Sequence, residues 1–304
     1  MVGMNLKSIK LLENDMKLLQ YLARFKLMLA NDAKIFYGSS YYQKRLQELK
    51  NANYITRCYK SYIKLNPASI RFLEKQGIEC QIPCRNRTYI ERLEAISKIG
   101  IGLLNTDLNY KISWELKGES YTDWSRRFIG EIELRNEKYL IYYAKQDAKY
   151  ARQLQFDINK DLSYQNVLIL ADDLKIIDVK NQFIFPNKAS CIFLLKKRID
   201  TLNTFDKLNI EKTIENIFQN VTKTSDFNTA DYKVEDKNIV FMPYIDTHRI
   251  AALNNFYSLG MTDSKIEIIS YKENFTTIIR LLSDNVKEKC TYREIKEETY
   301  ETYD

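Results

Sequence analysis

The succession of local signals between residues 14 and 78 leaves few folds open. Asn14 and Asp15 stand where a helix cap belongs, ahead of MKLLQYLARFKLMLA. In that segment Leu18, Leu19, Leu22, Phe25 and Leu29 recur at three- and four-residue steps and share one face. NDAKIFYG predicts a short second helix with Ile35 and Phe36 inward and Gly38 as its stop. Ser39 or Ser40 then caps a third helix, SYYQKRLQELKNANYI, whose buried stripe is Tyr42, Leu46 and Leu49. ITRCYKSYIKL alternates through Ile55, Arg57 and Tyr59 and again from Tyr62 to Leu65, which predicts a ribbon reversing near Lys60–Ser61. Asn66–Pro67 opens a last helix, ASIRFLEKQ, which stops at Gly77.

Three helices, the last polar in its first turns, then a basic hairpin and a closing helix are in the order of a winged helix-turn-helix, expected over residues 1–78. In that fold the third helix lies in the major groove of duplex DNA and its early residues reach base edges. The hairpin carries cations to phosphates, which position the protein without reading sequence. The candidate DNA contacts are therefore Ser39, Ser40, Tyr41, Gln43, Lys44 and Arg45 on the helix, and Arg57, Lys60 and Lys64 on the hairpin. Lys44 and Arg45 are expected on the solvent side; Tyr41 is expected outward and Tyr42 in the core. Charge agrees in its distribution. Residues 1–100 hold 18 Lys and Arg against 8 Asp and Glu, whereas the remainder holds 29 against 32. The positive excess is confined to the part expected to meet a polyanion.

Two scarcities exclude whole classes of chemistry. His248 is the single histidine, so mechanisms built on several histidines have no ligands to use, and a lone His beside Asp246 and Arg249 with no nucleophile is expected to be structural. Only eight glycines occur, and Gly100/Gly102 in KIGIGLL is the one close pair. A phosphate-cradling loop needs several, so neither a P-loop nor a dinucleotide fingerprint exists and no nucleotide cofactor is expected. The five cysteines are an odd number spread along the chain, which fits a reducing cytoplasm; Cys80 and Cys84 have no second pair or nearby His to complete a metal site. No apolar run approaches the length of a membrane span, and MVGMNLKSIKLLEND becomes charged too early for a secretory leader. No cofactor and no membrane partner are expected, and the location is expected to be cytoplasmic.

Residues 79–88, ECQIPCRNRT, predict a linker broken by Pro83 with Arg85 and Arg87 exposed. A helix over Tyr89–Ile101 is expected to begin a second, α/β domain reaching residue 200. KISWELK, FIGEIEL and KYLIYYA predict strands with Trp114 and Trp124 anchoring them, DAKYARQLQFDINKDL a helix, and NVLILA and CIFLL buried strands. Residues 201–283 supply a further α/β segment, with FNTADYKVEDKN as a loop, and 284–304 a charged tail. No internal repeat is visible. The whole is expected to be α+β.

LLQYLARFKLMLANDAKIFYG, YYQKRLQELKNANYI and IKLNPASIRFLEKQG, continuing weakly through RTYIERLEAISKIGIGLL and KYLIYYAKQDAKYARQLQFDI, resemble the replication-relaxation family of plasmid and mobile-element proteins. The resemblance spans about residues 14–170. It implies a plasmid replication or maintenance protein that binds a DNA site, with a second domain similar to a degenerate restriction-endonuclease-like fold. A metal-dependent nuclease of that fold needs an acid on one strand and Glu-x-Lys on the next. Here the second strand offers Tyr143-Ala144-Lys145, and Glu131 and Glu133 on the first have no acidic partner. The set is incomplete, so no catalytic residue is assigned; Glu131, Glu133 and Lys145 are the residues a nuclease reading would need, and the two glutamates are expected on a solvated strand face. Alternative roles with the same recognition helix are a transcriptional regulator and the antitoxin of a phage-defence pair. Winged helices commonly bind two-fold sites as homodimers, and no heptad repeat marks an interface here.

Overall fold

In a computed structural model, described over residues 6–59, 61–81, 89–116, 127–144, 148–160, 164–178, 183–185, 187–222 and 229–296, the chain is a mixed α+β protein. It divides into two units, the first ending at Leu104 and the second beginning at Asn105.

The first unit runs α1 (Glu13–Phe25), β1 (Met28–Leu29), a 3-10 turn over Ala30–Ala33, α2 (Lys34–Tyr37), α3 (Tyr42–Asn51), β2 (Ile55–Cys58), β3 (Tyr62–Leu65), α4 (Pro67–Glu74) and α5 (Ile90–Gly102). The expected stripe of α1 is buried as far as Phe25. The helix stops there, earlier than its apolar periodicity suggests. Lys26 turns to a φ of 69°, and Met28 and Leu29 leave the helical path to pair antiparallel with Ile63 and Tyr62. The hairpin thereby becomes a three-stranded sheet in the order β1-β3-β2. Gly38 ends α2 at a φ of 79°, as expected of a residue without a Cβ. Asn66 caps α4 by accepting the Ala68 amide, with Pro67 following it.

The helix over residues 90–102 belongs to this unit rather than beginning the next. Its Ser97 accepts the Tyr21 hydroxyl from α1, Lys98 pairs with Asp32 at 2.7 Å, and Glu94 accepts from Tyr62 of the hairpin. Gly100 explains half of the close glycine pair: a Cβ there would lie 2.4 Å from the Phe25 ring. The glycine is what lets α5 approach α1.

Among the described residues the second unit holds two mixed sheets. The first contains β4 (Tyr110–Ile112), β5 (Gly130–Leu134), β6 (Glu137–Ala144), β7 (Asn166–Ala171), β8 (Ser190–Leu195) and the short β12 (Ile245–Asp246) in the order β12-β8-β7-β6-β5-β4. The second contains β9 (Val221–Thr222), β10 (Tyr232–Val234), β11 (Lys237–Phe241), β13 (Lys265–Ser270) and β14 (Cys290–Glu294) in the order β14-β13-β11-β10-β9. The helices are α6 (Ser113–Leu116), α7 (Ala148–Lys160), α8 (Thr201–Lys207), α9 (Ile210–Ile217), α10 (Thr247–Ser258), α11 (Lys272–Leu281) and α12 (Asp284–Lys287).

The two sheets repeat one plan. In each, three strands form an antiparallel meander, the third is followed by a helix, and two further strands join parallel to it. The tight hairpins match: Leu134 pairs with Glu137 across Arg135–Asn136, and Val234 with Lys237 across Glu235–Asp236. Helix α7 corresponds to α10, β7 to β13 and β8 to β14, each about a hundred residues apart. The parallel strands β7, β8 and β13 are buried along nearly their whole length because both of their faces are covered, whereas β14 lies at the sheet edge and is largely exposed. Leu140, Tyr142, Val167, Ile169 and Phe193 of the first sheet and Val240, Ile266 and Ile268 of the second share one apolar core.

Three expectations change accordingly. The stretch read as a loop after residue 226 holds β10 and the start of β11 among its described residues. The expected charged tail begins with α12 and β14, the latter pairing along its whole length with β13. Trp114 lies half-buried in α6 rather than on a strand, and Trp124 falls outside the described residues. No helix among the described residues is long and apolar enough to cross a membrane, and Cys80, Cys191 and Cys290 are free thiols.

Candidate nucleic-acid interface

Helix α3 carries Gln43, Lys44 and Arg45 of the residues singled out above, with Ser39, Ser40 and Tyr41 just ahead of it, and the structure separates them into two sets. Leu46 and Leu49 face inward, as their spacing requires. Ser39, Ser40, Tyr41, Gln43 and Lys44 are exposed. Helix α3 begins at Tyr42 with no side-chain cap, so neither serine serves as one. Tyr42 is half-buried rather than core, its hydroxyl donating to Asn31 Oδ1 at 2.9 Å.

Arg45 departs from expectation. The residue is 7% exposed, and its guanidinium is consumed within the unit. Nε donates to Asp15 Oδ1 at 2.8 Å, one terminal nitrogen bonds the other Asp15 oxygen and the Lys10 carbonyl, and the second bonds Glu48 at 2.6 Å. Asp15 is fully buried and also accepts the Leu12 amide and the Tyr37 hydroxyl. Burial pushes the Asp15 carboxyl up, but hydrogen bonds from Arg45, Leu12 and Tyr37, with the Arg45 charge, outweigh it and leave the group below its ordinary range. Asp15 does help cap α1, since the Leu12 amide is its partner; its larger role is to bind α3 to α1 through Arg45. Arg45 is a packing residue.

The hairpin cations are also divided. In the β2–β3 register Arg57 opposes Ile63, whereas Lys64 opposes Thr56. Directly opposed residues share a face and successive residues alternate, so Arg57 and Lys64 project from opposite faces of the ribbon. Arg57 is exposed; Lys64 is half-buried and shares its face with Tyr62, which bonds to α5. Lys60 lies outside the described residues.

Residues the sequence pattern did not single out complete the exposed side of α3. Gln47 and Lys50 are exposed on the helix, Gln47 one turn beyond Gln43. The segment before α1 runs beside it: the Lys7 amide bonds to the Ala52 carbonyl at 3.1 Å, and the Lys10 carbonyl to Arg45 at 2.8 Å. This brings exposed Lys7 and Lys10 to the flank of the helix. Gln47 was within reach of helical arithmetic. Lys7 and Lys10 were not, because only the tertiary fold places them there.

In the second unit the nuclease constellation does not assemble among the described residues. Glu131 and Glu133 do share a face of β5, but Glu131 is 7% exposed, not solvated, and its carboxylate accepts the Tyr164 hydroxyl. No group of three or more His, Cys, Asp or Glu suited to a metal occurs among the described residues, and Lys145 lies outside them. Tyr143 donates to Asp172, which pairs with Lys196 at 2.7 Å. His248 is half-buried on α10; its Nε2 accepts the Phe185 amide at 3.2 Å, which requires the neutral ring. Burial lowers its pKa against the opposing pull of Asp246.

No family model, curated protein or solved structure matches the chain.

Proposed function

We propose that the first unit is a winged helix-turn-helix that binds duplex DNA through the exposed side of α3, and that the protein serves plasmid replication or maintenance, as the family resemblance implies. The reading rests on one observation above the others. The side of α3 opposite Leu46 and Leu49 presents Gln43, Lys44 and Gln47 to solvent, with Ser40 exposed just ahead of it, on a helix that follows a short helix and precedes an antiparallel hairpin. With Arg45 committed to Asp15, base reading falls to amides. A glutamine can pair with both the N6 and N7 positions of adenine in the major groove. Lys44, Lys50, Lys7 and Lys10 are placed to meet phosphates. In the second unit we take the meander β4-β5-β6, helix α7 and parallel β7 as a restriction-endonuclease-like core, and with Glu131 held by Tyr164 we take it as a scaffold without cleavage chemistry.

Selection of bound fragments from a random duplex pool tests this, followed by anisotropy titration on the recovered site. Gln47→Ala is expected to cost about 1–3 kcal/mol of binding and to relax preference at one position. Lys44→Ala is expected to weaken all duplexes alike. Both should keep the native melting temperature, since the side chains are exposed. Failure to enrich any fragment would overturn the proposal.

A further inference from the structure

The second unit contains a cleft that DNA recognition does not use. It opens where the two repeated halves meet, between the first residues of β6 and β8 on one side and the segment joining β11 to α10 on the other. Its volume is about 260 Å³, just under the range of drug-sized ligand pockets. Phe205, Ile210, Met242 and Tyr244 supply apolar wall, with the Phe205 and Tyr244 rings edge to face at 5.1 Å.

Five charged side chains reach this wall, and they are not equivalent. Arg249 is used internally: it donates to the Phe241 carbonyl at 2.8 Å, the Thr229 carbonyl at 2.7 Å and Asp231 at 2.6 Å. Arg249 and Asp231 therefore offset each other. Arg135 donates to the Leu208 carbonyl and lies 5.7 Å above the Phe205 ring, so one face of the wall already accommodates a cation. Glu137 and Asp246 remain. Asp246 is 7% exposed and held by the Ser190 hydroxyl at 2.7 Å and the His248 amide at 2.9 Å; Glu137 accepts from Asn166 at 3.0 Å. Tyr139 also lines the cleft, and its hydroxyl donates to Glu137 at 3.4 Å. Burial, then the charges of Glu137 and Asp246, raise its phenol well above the ordinary value, so the hydroxyl stays protonated. Set against the charge of Arg135, the two carboxylates leave the cleft with one negative charge in excess, and with the aromatic walls they favour a positive charge on an apolar body.

We propose that this cleft binds a small organic cation, an ammonium or guanidinium group on an apolar stem, with its charge at Glu137 and Asp246 and its stem against Phe205 and Tyr244.

Calorimetric titration of the full chain with 2-phenylethylamine, cyclohexylmethylamine and phenylguanidine, set against 3-phenylpropionate, tests it. At least one cation should bind saturably at millimolar concentration and the carboxylate should not. Glu137→Gln, at an exposed position that leaves the fold intact, is expected to weaken the bound cation about tenfold, the loss of one charged hydrogen bond. No saturable cation binding, binding of the carboxylate as tightly as the cations, or an unchanged affinity in Glu137→Gln would each overturn the assignment. None of these outcomes bears on α3 and DNA.

Discussion

Asp15→Ala is expected to destabilise the first unit by about 3–5 kcal/mol, the usual consequence of leaving one member of a buried ion pair without its partner. For a unit of this size that corresponds to a fall in melting temperature on the order of 15 °C or more. The expectation follows from the burial of both members and from the number of bonds that meet at Asp15. A paired change to uncharged residues of similar volume, Asp15→Leu with Arg45→Met, removes the desolvation cost along with the attraction and should recover most of the loss. The recovered double variant separates the two roles of Arg45. If Arg45 is a packing residue, duplex binding survives its replacement; if it reads DNA, binding is lost while the fold is restored. Acid gives a second handle on the same pair. The folded-state pKa of Asp15 lies below its unfolded value, so its contribution is complete above about pH 4 and is lost as pH falls through the lower, folded pKa. Melting followed from pH 7 to pH 3 should therefore show the wild type losing stability at the acid end and the uncharged double variant losing less.

Phe193→Ala is expected to cost the second unit about 3–5 kcal/mol. Phe193 is 1% exposed at the middle of β8, packs edge-on against Phe183 at 5.0 Å, and opposes Ile169 and Ile245 on the neighbouring strands. Strands cover it on two sides and the shared core lies above it, so the cavity left behind has little room to collapse. Because α3 belongs to the other unit, duplex binding measured below the melting transition should be unchanged. Chemical denaturation of the variant, with circular dichroism and DNA anisotropy recorded on the same samples, checks both halves of this expectation.

Much of the first unit is legible in its residues, and the failures have physical causes. The stripe Leu18, Leu19, Leu22 and Phe25, the Gly38 stop and the Asn66–Pro67 start are local signals, and they appear where expected. The end of α1 is not legible because Lys26 adopts a positive φ with no glycine to announce it, and a two-residue strand is too short to show a period. Arg45 looks exposed from its neighbours on α3. Its burial becomes visible only when Asp15, thirty residues earlier, is placed beside it. Arg57 and Lys64 look like one basic ribbon, but the turn length sets the register, and the register puts them on opposite faces. In the second unit the parallel strands β7 and β8 are plain as apolar runs. Edge strand β14 is mostly exposed and so resembles a tail. The repeated plan is hidden because the two halves preserve strand order and hairpin length while their side chains differ: the turn is Arg-Asn in one and Glu-Asp in the other. The cleft between the halves draws on residues from Arg135 to Arg249, a separation that no linear motif spans.

The salt dependence of binding to a selected duplex tests the central claim most directly. With Lys7, Lys10, Lys44 and Lys50 as the phosphate contacts, affinity should fall steeply between about 50 and 200 mM salt, with a log–log slope of roughly −3 to −4, and the slope should lessen by about one in Lys44→Ala. A flat titration, or a slope that Lys44→Ala leaves untouched, would contradict the placement of DNA along α3.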